Sequence, residues 1–104
     1  MEMVSLRHKE KFRRALYCLA VGEGDARDRL RGAYNQIRLL RDDEVPPEIR
    51  QEWICILKDL TKHGPLIQSG VILKNDLDHT LGRIKNKTAR KIAERIYRIA
   101  INLQ

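Results

Sequence analysis

TARKIAERIYRIAINL, residues 88–103, is the stretch whose reading decides the fold. Ala89, Ile92, Ala93, Ile96, Ile99, Ala100 and Leu103 recur in it at steps of three and four. That spacing is one apolar stripe along a helix. Lys87, Arg90, Lys91, Arg95 and Arg98 lie off the stripe, and only Glu94 offsets them. The segment therefore has a face for a core and a strongly positive face. Thr88 or Asn86 is expected to cap it.

Upstream, the same period predicts four more helices and no firm strand. Residues 5–21 carry Leu6, Phe12, Ala15, Leu16, Leu19 and Ala20 inward, with Ser5 as a partial cap and Gly22 and Gly24 as the stop. Residues 26–41 follow the N-cap Asp25, with Leu30, Ala33, Tyr34, Ile37 and Leu40 as the stripe. The acidic run Asp42-Asp43-Glu44 is unfavourable at a helix C-terminus, so it is expected in a solvated loop. A third helix opens at Pro46-Pro47, buries Ile49, Trp53, Ile56, Leu57 and Leu60, and ends at His63-Gly64-Pro65. Residues 64–72 are irregular. Their Leu66, Ile67, Val71 and Ile72 are expected against the core, with a short extended pair around Gly70 as the alternative. A fourth helix over 73–84 turns Leu73, Leu77, Leu81 and Ile84 inward. No repeat or low-complexity segment interrupts the chain. The expectation is all-α: one domain over residues 1–104, a compact bundle of four or five short amphipathic helices.

Size and composition agree. A chain of 104 residues has one-domain length, and such a chain buries roughly two-thirds of its unfolded surface. An apolar fraction of 42% fits a globular protein rather than a disordered one. No apolar run approaches the ~20 residues of a membrane span. Basic residues before the short apolar run 15–21 resemble a signal peptide slightly, but that run ends in Gly-Glu-Gly-Asp, and secretion is set aside. Cys18 and Cys55 show no metal-site spacing and read as buried free thiols, which favours a reducing, cytoplasmic setting. No metal or cofactor is expected.

The net charge is +7, and the excess sits at the two ends. Such a surface attracts nucleic acid, anionic lipid or an acidic protein patch, and it also keeps a small protein soluble. The first-choice function is a small non-enzymatic binding or accessory protein. It would act through a basic surface of helices 1 and 5, carried by Arg13, Arg14, Lys87, Arg90, Lys91, Arg95, Tyr97 and Arg98. Tyr97 beside Arg98 has the composition of a protein contact. The alternative is a nucleic-acid-binding regulator that uses a helix-turn-helix-like unit over 73–103, though Gly82 falls out of register for that motif. A basic helix 1 would also suit an anionic membrane, but Glu2 and Glu10 dilute it. An enzyme or enzyme subunit without a recognisable motif comes third. Asp76, Asp78 and His79 diverge on a helix and read as a solvated polar face rather than a metal or acid–base site. His8 and His63 stand alone, the latter near terminal helix carbonyls. Leu66, Ile67 and Ile72 serve either the core or a contact between copies, and a C2 homodimer is a further expectation.

Overall fold

The computed structural model describes residues 6–103. Among them the chain forms five α-helices and one β-hairpin: α1 (Arg7–Val21), α2 (Ala26–Ile37), α3 (Pro47–Leu60), β1 (Leu66–Gln68), β2 (Val71–Lys74), α4 (Asp76–Arg83) and α5 (Asn86–Asn102). A 3₁₀ turn, Asp42–Glu44, joins α2 to α3. The architecture is a mostly helical bundle. No described helix is long and apolar enough to cross a membrane.

The stripe of α5 organises the packing. Ala89, Ile92, Ile96, Ile99 and Ala100 are all buried, and α5 lies against α1, α2 and α3 together. Phe12 and Ala15 face it from α1, Leu30, Ala33 and Ile37 from α2, and Trp53, Ile56 and Leu60 from α3. Short α4 closes one end over α2 and α3 with Leu77 and Leu81. α1 and α2 approach closely at Gly32, where an added Cβ would stand 3.3 Å from Cys18 Sγ. Both cysteines are free and half-buried.

Local signals account for most boundaries. Asp25 accepts from the N–H groups of Arg27 and Asp28, while Asp28 accepts from the Asp25 N–H, so α2 opens on a capping box. Pro47 occupies the first helical position of α3. Asn75 accepts from Asp78 N at 2.8 Å and starts α4.

Several expectations need correction. α2 stops at Ile37 rather than at residue 41. The indole N–H of Trp53 donates to the Ile37 carbonyl at 3.0 Å. The chain then turns so that Leu40 is buried and Leu39 is not. The fourth helix begins at Asp76, because Asn75 caps it there, and Leu73 belongs to β2 and is exposed. The extended pair is what forms over residues 66–74; Leu66 is half-buried, while Ile67, Val71 and Ile72 face outward rather than onto the core. Neither Asn86 nor Thr88 caps α5. It starts at Asn86 with Lys85 at the cap position and no side-chain cap bond. Leu6 is exposed rather than part of the α1 stripe, and the Ser5 cap lies outside the described residues. The acidic run is only partly solvated, since the Glu44 side chain is 6% exposed and bonds the Arg7 guanidinium at 2.8 Å.

Candidate functional site

α1 and α5 run side by side and antiparallel. Leu6, Arg7 and Arg13 from the start of α1 share an open cleft of about 740 Å³ with Ala100 and Leu103 from the end of α5. Leu19 from the end of α1 shares a smaller cleft of about 370 Å³ with Asn86, Arg90 and Ala93 from the start of α5. The basic start of α1 thus lies beside the end of α5, and the basic start of α5 beside the end of α1, at opposite ends of the helix pair. The amphipathic period of each helix puts its cations on the outer side, because the opposite side is held in the core.

The candidate residues divide into two groups. Arg14 pairs with Glu10 at 2.6 Å, and Arg98 with Glu94 at 2.7 Å, each across one helical turn. Arg95 is bound more firmly: Nε lies 2.6 Å from Glu52 Oε1 and Nη1 2.6 Å from Asp59 Oδ2, both on α3. Burial works against the Arg95 charge, but these bonds outweigh it and hold the guanidinium above its ordinary pKa. Arg95 therefore clamps α5 to α3 and does not belong to an open anion-binding surface, contrary to its assignment from sequence. Arg13, Lys87, Arg90 and Lys91 are exposed and, among the described residues, join no ion pair. Tyr97 is 48% exposed beside Arg98. Phe12 is core, as its place on the stripe requires, while Tyr17 is exposed.

Lys87, Arg90 and Lys91 stand in the first turn and a half of α5. Its unsatisfied N–H groups make that end positive, and no acidic residue and no side-chain cap relieve it. Lys87, in the first turn, costs up to about 1 kcal/mol there, and an anion would reverse the sign. Arg29 lines the smaller cleft beside Arg90. Its Nη1 donates to the Leu19 carbonyl, while its Nε is buried without a partner. Sequence spacing within single helices missed Arg29, which reaches this face from α2.

The polar cluster on α4 does not converge. Asp78 pairs with Arg31 at 2.9 Å, Asp76 Oδ1 accepts from the Leu77 N–H, and His79 Nδ1 bonds the Gly64 carbonyl at 3.0 Å. Among the described residues no three of His, Cys, Asp and Glu stand close enough to hold a metal ion. The His63 N–H donates to the Thr80 hydroxyl, and the ring tilts against His79 at 5.9 Å between centroids. Desolvation, then Arg83, Lys62 and His79 in turn, push the His63 pKa down. The helix 4–helix 5 unit differs from the expected helix-turn-helix. Only Ile84 and Lys85 separate the helices, α4 packs mainly on α2 and α3, and the inner side of α5 is held by three helices.

No protein-family model matches the chain, and no curated protein or solved structure matches it either.

Proposed function

We propose that the protein is a small non-enzymatic binding module whose α1–α5 face takes an anionic partner, either a nucleic-acid backbone or an acidic protein surface. One observation carries the reading. Lys87, Arg90 and Lys91 crowd the positive end of α5 and, among the described residues, join no ion pair, because the nearby Asp25 and Glu94 are paired with Arg27 and Arg98; the arrangement is unfavourable until an anion arrives. Arg13 of α1 adds an exposed cation in the larger cleft, toward the other end of the same helix pair. The narrower reading, α5 entering a major groove, has less support, because Arg95 is bound to α3.

Fluorescence anisotropy of labelled duplex DNA and single-stranded RNA across a salt series tests the proposal. Four phosphate contacts give a log–log salt slope of about −3.6 on duplex DNA and about −2.8 on a single strand. Arg13→Glu combined with Arg90→Glu and Lys91→Glu should abolish binding. If neither nucleic acid binds, pull-down with the same variant as control asks for an acidic protein. Partners that bind the variant as well as the parent would remove this face from consideration.

A further inference from the structure

Residues 64–73, GPLIQSGVIL, hold no charged side chain in a chain that is 34% charged. They include β1, its turn and most of β2. Ser69 and Gly70 both have positive φ, 52° and 77°, which makes a tight two-residue hairpin turn. Space is open at Gly64 and at the tip, for nothing lies within 4 Å of a Cβ built at Gly64 or Gly70, while the base of β2 touches α4. Ile67, Val71, Ile72 and Leu73 are 54–63% exposed.

Two features narrow the choice of occupant. First, the tip is apolar on both faces. Ile67 and Ile72 are cross-strand partners on one side, and Val71, opposite Gln68 on the next rung, points to the other. A folded protein partner would cover one side and leave the other wet. An apolar medium surrounds both. Second, cations ring the base. Lys74 ends β2 opposite Leu66, with its ammonium beside Gly82 of α4. Lys62 and Arg83 lie near enough to His63, just before the hairpin, to disfavour its charged form, as does His79. Among the described residues Lys62, Lys74 and Arg83 join no ion pair. Lys74 shares a cleft with Asp28 and Asp78, both of which Arg31 pairs, at 3.2 and 2.9 Å, and Asp76 accepts from the Leu77 N–H. A second copy would bring a second cationic ring against the first, which opposes pairing. An anionic lipid surface complements it.

Depth agrees with the same occupant. The rungs from Leu66–Lys74 to the turn span on the order of 10 Å at about 3.3 Å per residue. That matches the ~5–10 Å to which interfacial segments enter a bilayer. Both strand edges carry open backbone groups, which are tolerated among hydrated headgroups but not in the hydrocarbon centre. We propose that the β1–β2 hairpin inserts its apolar tip into the surface of an anionic bilayer, with Lys62, Lys74 and Arg83 against the headgroups.

Vesicle co-sedimentation at physiological salt tests this. The probes are pure phosphatidylcholine and phosphatidylcholine with a minority of phosphatidylglycerol. The protein should partition onto the anionic vesicles. Ile67→Ser/Ile72→Ser should weaken partitioning by roughly tenfold or more, as expected when two apolar side chains no longer enter the interface. Its melting curve should not change, because both side chains are exposed. Tyr17→Ser, at an equally exposed side chain of α1 remote from the hairpin, should partition like the parent. Ile72→Trp should add a blue-shifted emission on anionic vesicles that the parent, with Trp53 alone, lacks. Absence of partitioning overturns the proposal. So does partitioning that ignores Ile67→Ser/Ile72→Ser and shows no Trp shift, since charge alone then explains it. A dimer or a duplex-DNA complex that needs Ile67 and Ile72, found without partitioning, would assign the hairpin to that occupant instead.

Discussion

Arg95 sits four residues after Lys91 and looks, along its own helix, like one more member of a basic row. The bundle gives it another role. Its guanidinium bridges Glu52 and Asp59, which reach it from α3. Arg95→Ala should lower stability by about 1–2 kcal/mol, because two partly exposed ion pairs vanish together. Arg95→Lys should restore only a fraction of this, since a single ammonium cannot serve both carboxylates with the geometry of a fork. Chemical denaturation of the three proteins checks both statements. The row Lys87, Arg90 and Lys91 was legible because exposure follows from helical period alone. The pairing of Arg95 was not, because its partners lie some forty positions away and period says nothing about what another helix brings.

The hairpin illustrates the same limit at the level of the element. Leu73, Leu77, Leu81 and Ile84 have helical spacing, and a short apolar run fits a strand or a helix equally well. Asn75 decided the matter by capping at Asp78. The apolar run from 64 to 72 reads as a loop against the core, because apolar composition argues for burial; that Ile67, Val71 and Ile72 stand exposed is set by the hairpin's placement, which composition does not reveal. Longer elements were plain from sequence. The α5 stripe and the Pro47 start of α3 appear where periodicity and turn chemistry place them. Ser69 bears a steric cost at φ 52° that asparagine tolerates more easily. Ser69→Asn should therefore slow hydrogen exchange of the hairpin amides, and Gly70→Ala should speed it, each by a change of about 0.5–1 kcal/mol in local opening. Exchange rates in the helices should not move.

At the scale of the whole molecule, two carboxylates link stability to pH: Asp25 caps α2 locally, and Glu44 ties the turn before α3 to Arg7 of α1. The Asp28 N–H chiefly, with Arg27 beside it, holds Asp25 below the usual aspartate range against the opposing effect of desolvation. The Arg41 N–H, and then Arg7, do the same for Glu44, again against burial. Both folded pKa values are depressed. Their contribution to stability is therefore full above the unfolded values near 3.8 and 4.5 and is lost as pH falls through the folded ones. The melting temperature should drop between about pH 5 and pH 2, and Asp25→Asn combined with Glu44→Gln should flatten that dependence. A calorimetric pH series on the two proteins checks it. His63 acts in the same direction near neutrality, since a histidine with a lowered pKa resists protonation in the fold.

The antiparallel course of α1 and α5 has a mechanical corollary. Leu6 and Leu103 line the same cleft, so the two ends of the described chain are neighbours. Tension applied through those ends pulls across the helix pair instead of along it. The contacts between α1 and α5 then open successively, like a zip, and the molecule should yield at a lower force than it would if gripped at Leu6 and at the hairpin tip.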